Sequence, residues 1–309
     1  VIKVEPPKVG DAWRRSGTML QGRSLDFLTD NRGKKGITLN LKHPKGQEIA
    51  RKLAARSDIV LENFREGVLE SWGLGWEDLR KLNPGLVMVR ISGFGQTGPF
   101  RHRPAFGRVA EGMSGLTYII GEPDGAPVAA GLGWGDMTTG MLCAFATMAA
   151  LRHRDRTGEG QWIDAAICES LLRLMGEIPA VYKSMGEVRE RTGAWNPENP
   201  TNGHFQAKDG GWLVTRCHND ATTHRLFDVM GRPEMASDPR FATLPARQQH
   251  WREVVEVVKQ WVATLTRQEV LDAARHCIES IGDRRLILGS SNSILPGSPP
   301  ENVFALKEA

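Results

Sequence analysis

Apolar and polar residues follow two different periods along the chain, and each change of period marks an element. Val1–Glu5 is β-branched and alternating, which predicts a strand, and Pro6–Gly10 ends it. Residues 11–36 are polar and carry no period; they are expected to be irregular, with Asn31–Gly36 as a basic turn. Ile37–Leu41 alternates as a second strand. Pro44 then opens a helix, at a position where its missing N–H costs nothing. Ile49, Ala50, Leu53 and Ala54 give that helix one apolar face. Asp58–Glu62 and Leu86–Ile91 read as strands, with helical segments at Val68–Trp72 and Trp76–Leu82 between them. Ser92–Pro99 is a glycine-rich loop. It lacks a dinucleotide fingerprint and opens no clear helix.

Further on, Met141–Leu151 is the longest apolar run and predicts a buried helix, followed by a polar turn over Arg154–Gln161. Trp162–Ile167 reads as a strand, with a helix after it to about Tyr182. Asp164 and Glu169, near that junction, are read as capping or solvated. Asp209-Gly-Gly211 lies between two short alternating runs, which is a hairpin signal. Helices are expected near residues 220–229, 247–263 and 267–277, the last opened by a Thr266/Glu269 capping box.

Strands alternating with helices define an α/β fold with a mostly parallel, Rossmann-like sheet, followed by a smaller α+β domain. The expected boundaries are 1–185, 186–273 and an atypical tail over 274–309. Ligands in such sheets sit at the carboxyl ends of strands. The segments after Leu41, Glu62 and Ile91 are therefore the places to look.

Composition narrows the function. The 309 residues are 40% hydrophobic and 25% charged, as in an ordinary globular protein. The net charge of +4 is not gathered into a basic, aromatic-interleaved stripe, which argues against nucleic acid and suits a small phosphorylated ligand. Four cysteines without C-x-x-C spacing suggest neither disulfides nor zinc, and the eight histidines show no metal spacing. A reducing cytoplasm is the default compartment, and Met141–Leu151 is too short to span a membrane. The chain opens on a strand already under way, so a missing N-terminal segment is expected.

The candidate chemistry centres on Gly131-Leu-Gly-Trp-Gly-Asp136. Glycines let the backbone approach a ligand closely. Two roles are open to Asp136 on these residues. It caps the apolar helix, or its carboxylate, kept ionised by the helix N-terminus, acts as a nucleophile toward an activated acyl group.

Four segments then occur in one order: Val1–Pro7, Glu62–Val68, Ser92–Pro99, and Gly135-Asp136 running on to Arg156–Gln161. Together they resemble the class III CoA-transferases, a family that includes carnitine and formyl-CoA transferases and α-methylacyl-CoA racemases. Asp209–Trp212 and Ser237–Phe241 extend the likeness over about residues 1–273. The resemblance implies an acyl-CoA:carboxylate CoA-transferase, with acyl-CoA and a small carboxylic acid as substrates, coenzyme A as the carried group, no metal, and an interlocked homodimer. It implies that Asp136 is the nucleophile, passing through a mixed anhydride and an aspartyl-CoA thioester. It places Leu39, Asn40, Leu41 and Lys42, then Asn63, Phe64 and Arg65, then Pro104, Ala105, Phe106 and Gly107 on CoA-contacting segments. Lys42 and Arg65 are suited to phosphate.

The racemases carry a histidine 30 residues before the aspartate; here that position is Phe106, which cannot move a proton. A racemase-like isomerase and an inactive CoA-binding remnant are the rival readings. Asn40 stands where the family usually has Asp, and Ser71 where an Arg commonly contacts CoA. The family's first strand and the turn after it are expected to be absent. The tail from Arg285 resembles the last strand, loop and helix of the uroporphyrinogen decarboxylase family, which is read as a joined frame near residues 271–281.

Overall fold

A computed structural model describes residues 1–281 apart from Ala130 and His218. They divide into two compact units, Val1–Tyr118 with Ala129–Arg189, and Ile119–Val128 with the residues from Glu190 on.

The first unit runs β1 (Ile2–Glu5), β2 (Met19–Leu20), β3 (Arg23–Ser24), α1 (Leu25–Asp30), β4 (Lys35–Thr38), α2 (Pro44–Ala54), β5 (Ile59–Glu62) and α3 (Val68–Ser71). It continues with α4 (Trp76–Leu82), β6 (Val87–Ser92), α5 (Gly107–Met113), α6 (Trp134–Thr157), β7 (Trp162–Ala166), α7 (Ile167–Leu174) and α8 (Ile178–Met185). The expected single sheet is two parallel groups: β1 pairs with β4, while β5, β6 and β7 form a separate sheet with β6 in the middle. The middle strand is buried on both faces, which is why it reads as a continuous apolar run. Its alternation sends Met88 toward Leu69, Leu79 and Ala54, and Val87 and Val89 toward Cys143 and Ala150 of α6. Truncating a buried side chain here, such as Leu79, costs about 2–5 kcal/mol. Leu61, on β5 at the sheet's rim, is 63% exposed.

Two expectations need correction here. Residues 11–36 are ordered in small pieces: a 3-10 turn at Ala12–Arg15, the β2/β3 hairpin, and α1. Polar contacts hold them. Asp11 accepts from the Trp13 N–H at 2.9 Å, and Ser24 caps α1 by accepting from Phe27 N–H at 3.1 Å. Such contacts leave no apolar period to read. The second correction concerns α6. It starts before Asp136 and runs 24 residues to Thr157, where Gly158 (φ 80°) stops it, so it takes in the start of the expected polar turn. Within this chain only one side of it is covered: Cys143 and Ala150 are buried, while Met137, Met141, Phe145 and Met148 are exposed.

The second unit contains the expected hairpin, β8 (Gly203–Gln206) and β9 (Trp212–Thr215), antiparallel about Asp209–Gly211. Helices α9 (Asp220–Val229), α10 (Leu244–Gln249), α11 (Trp251–Thr264) and α12 (Arg267–Ile281) follow. The helix expected over 247–263 is two helices meeting at His250. Phe205, Phe227, Val254, Val258 and Val262 are the centre of this unit's core. Thr266 and Glu269 bond reciprocally at 2.7 and 3.3 Å, the capping box read from the sequence. From residue 282 on, the foreign-looking tail lies outside the described residues.

Candidate active site

The segments after β5 and β6 are tied together from below by charge. Arg90 on β6 is only 3% exposed and donates through Nε to Glu62 at 2.5 Å and through Nη1 to Glu70 at 2.5 Å. The other oxygen of Glu62 accepts from the Phe64 N–H at 2.6 Å, which shapes the Asn63–Arg65 turn. Burial alone would push the Glu70 carboxyl up, but the hydrogen bond and charge of Arg90 bring it below its ordinary value.

The Ser92–Pro99 loop is held from β7. Asp164 accepts from the Gln96 N–H at 2.8 Å and the Thr97 hydroxyl at 3.1 Å. Asp164 is exposed and caps no helix; it also fastens the loop. Gln96 in turn donates to the Phe64 carbonyl at 3.5 Å, joining the two turns. On its other side the loop meets the third segment. A Cβ placed on Gly93 would lie 2.2 Å from the Ala105 Cβ, so only glycine fits. Residues 62–65, 92–97 and 104–107 are therefore one chain of contacts.

Asp136 completes it. The N-cap of α6 is Gly133, so Asp136 sits in the first turn and does not cap it. No hydrogen-bond donor reaches its carboxylate among the described residues. Both oxygens lie against Gly107, where an added Cβ would be 3.0 Å from each. Next to it, a Cβ on Gly135 would meet Ile167 Cγ2 at 2.8 Å, so the head of α6 is wedged between α5 and α7. Partial burial of the carboxyl, and after it the charge of Glu111, push the Asp136 pKa up, although the residue as a whole stays exposed. The direction is opposite to the one a helix N-terminus alone would give. A carboxylate free of donors, beside a backbone with no side chain, keeps its lone pairs for an incoming carbonyl carbon.

The Leu39–Lys42 segment lies at the carboxyl end of β4 and, among the described residues, is not joined by hydrogen bonds to that chain of contacts. Asn40 accepts from the Lys42 N–H at 3.1 Å, and a Cβ on Gly46 would lie 2.0 Å from the Asn40 carbonyl oxygen. Leu41 packs on the α2/α4 core. Lys42 and Arg65 are exposed and make no ion pair among the described residues, so both are open to phosphate. Pro104 is exposed, and Phe106, 84% exposed, heads α5. The Ser71 hydroxyl donates to the Val68 carbonyl at 2.7 Å and reaches no further.

Sequence reasoning missed Glu111. It is 2% exposed, accepts from the Gly135 N–H at 3.2 Å and pairs with Arg108 at 3.0 Å. Its only signal was the Arg108/Glu111 spacing on one helix face. The buried Arg90–Glu62 pair gave no signal at all beyond a charge at the end of each strand.

The chain belongs to CoA-transferase family III, which it matches over residues 1–278. It is 46% identical over 275 residues to the succinyl-CoA–L-malate CoA-transferase beta subunit of Chloroflexus aurantiacus, covering 88% of this chain and 68% of that protein. It is 43% identical over 271 residues to succinyl-CoA–D-citramalate CoA-transferase of the same organism, covering 87% of this chain and 67% of that one. Among solved structures, it resembles a CaiB/BaiF family protein from Brucella suis with a TM-score of 0.78 at 31% identity, covering 98% of this chain and 78% of that one. The chain is accordingly a class III CoA-transferase.

Proposed function

We propose that this enzyme moves coenzyme A from succinyl-CoA to a small hydroxylated dicarboxylic acid, with Asp136 as the covalent relay. The observation that carries the reading is the Asp136 carboxylate, unbonded and set against the bare backbone of Gly107. An Asp136 oxygen attacks the thioester carbonyl, the C–S bond breaks, and CoA leaves as thiolate from a mixed anhydride. The thiolate attacks the aspartyl carbonyl, the anhydride C–O bond breaks, and the donor leaves as a carboxylate. An acceptor carboxylate then attacks the aspartyl thioester and displaces the thiolate. That thiolate takes the acceptor's acyl carbon and frees the Asp136 carboxylate. Lys42 and Arg65 are the residues we assign to CoA phosphates, with Leu39–Leu41, Asn63, Phe64 and Pro104–Gly107 along the carrier. The substrate class rests on the relatives, which are named for succinyl-CoA with malate or citramalate.

Phe106 stands against the racemase alternative, since it offers no group to exchange a proton at an α-carbon. The nearby His102 is paired with Glu66 at 2.8 Å. The exposed apolar stripe on α6 supports a homodimer. The described cysteines 143, 168 and 217 are unpaired, which suits a reducing cytoplasm.

The test is to incubate the enzyme with succinyl-CoA, quench with hydroxylamine and map the adduct. A hydroxamate at Asp136 is expected, with turnover falling on the order of 10³-fold or more in Asp136→Ala. Full CoA transfer by that variant would refute the relay.

A further inference from the structure

Glu111 is a buried carboxylate that the relay does not use. It lies on α5 one turn beyond Gly107, and Gly107 touches the Asp136 carboxylate. One of its oxygens accepts from the Gly135 N–H at 3.2 Å; the other takes Arg108 at 3.0 Å. The acceptor bond anchors the residue immediately before Asp136. A neutral amide oxygen could also accept that N–H, though less strongly, so the anchor alone does not require a charge.

We propose that Glu111 is a positioning residue whose negative charge favours the acylated, uncharged state of Asp136 over its free carboxylate. This rests on Asp136 being the residue that is acylated. Free Asp136 is an anion; as anhydride or thioester it is neutral. A fixed anion bonded to the N–H of the preceding residue, Gly135, destabilises only the first state, and partial burial of the carboxyl lessens the screening between them. The same repulsion favours a proton on Asp136, so both equilibria should move together. Arg108 is the counter-charge that limits the effect. Among the described residues, no other charge acts on the Asp136 carboxyl in this way. The α7 side of α5 is Ile167 and Leu171, with Cys168 held neutral by burial and by Glu169. On the strands under α6, Asp164 is taken up by the loop amides, and Arg90 by Glu62 and Glu70.

The experiment uses the intact enzyme with succinyl-CoA and compares wild type, Glu111→Gln and Arg108→Gln. Two quantities are read: the acid limb of kcat/KM against pH, and the equilibrium fraction of hydroxylamine-trapped Asp136. Glu111→Gln keeps the acceptor for Gly135 and loses the charge. Its acid limb should move to lower pH by about half to one unit, and its acylation equilibrium should fall by the matching roughly three- to tenfold factor. Arg108→Gln should move both in the opposite direction, which keeps the test open if one variant folds poorly. Wild type that traps, with both variants leaving the acid limb in place, overturns this proposal alone. Wild type that does not trap at Asp136 overturns the relay and this proposal together.

Discussion

The carboxylate of Asp136 rests directly on Gly107, so close that a methyl group added there would stand 3.0 Å from both oxygens. Gly107 is the first residue of α5, and Asp136 lies in the first turn of α6, so two helix heads meet at the candidate nucleophile.

This contact predicts a clean separation of activity from stability. Gly107→Ala should rotate or shift the carboxylate by a few tenths of an ångström or more. Misplacing a reacting group on that scale costs about 10–100-fold in kcat/KM. Gly107 has an ordinary helical backbone at the first position of α5, so alanine is tolerated there and the fold should be about as stable as before. Steady-state kinetics and a urea titration of the same preparation check both halves. A fully active Gly107→Ala variant would contradict the contact.

The Arg90–Glu62 pair makes a second case. Both side chains are buried, and Glu62 also organises the turn at Phe64. Replacing Arg90 with Met leaves a buried carboxylate without its cation. Losing one partner in this way destabilises by about 3–5 kcal/mol, far more than an exposed ion pair would. Replacing both with apolar residues, Arg90→Met with Glu62→Leu, should recover most of that loss. Urea midpoints for the two single variants and the double variant measure the coupling. Equal midpoints for Arg90→Met and wild type would show that the pair contributes nothing.

A pH dependence follows from Glu5. Arg14 holds it with two hydrogen bonds at 2.7 and 2.9 Å, and Asp11 N–H adds a third at 2.8 Å. The Arg14 bond, offset in part by burial, lowers its pKa from 4.5 to about 2. A pKa lowered by folding means that the folded state holds the proton less tightly than the unfolded chain. The stabilisation is therefore complete above pH 4.5 and is lost as the pH falls toward 2. The expected result is a Glu5→Gln variant less stable than wild type near neutrality, with the two urea curves converging on acidification. A gap that stays constant across that range would show that the charge on Glu5 is not what stabilises this corner.

What could be read in the sequence follows physical scale. Strands β6 and β7 and the β8/β9 hairpin were legible because period and turn chemistry decide them locally. The pieces of residues 11–36 were not, since polar contacts of Ser24, Asp11 and Arg14 hold them, not an apolar period. The head of α6 was misjudged because Gly133 caps it without a side chain to announce the cap. Segments 63–65, 92–99 and 104–107 could each be marked in advance, but their contacts with one another needed the fold. Glu111 escaped because its bond to Gly135 spans 24 residues, and no local pattern carries that. The charge ladder from Arg90 through Glu62 to Phe64 escaped for the same reason.

The exposed side of α6 carries the last prediction. Met137, Met141, Phe145 and Met148 recur at helical spacing and form one stripe, with Phe145 77% exposed. The other face of the same helix packs Cys143 and Ala150 on β6, so the helix is apolar on both sides. A helix apolar all round is a buried helix, and a second copy of the chain is the occupant we expect for the open side. Each of these side chains is worth roughly 1.5–3 kcal/mol when covered, so a glutamate at the centre should weaken association by at least about tenfold to a hundredfold. Phe145→Glu is therefore expected to sediment as a monomer at concentrations where wild type is a dimer, with unchanged helical circular dichroism. Wild type that sediments as a monomer at tens of micromolar would leave the stripe without this partner, and the dimer would have to be abandoned.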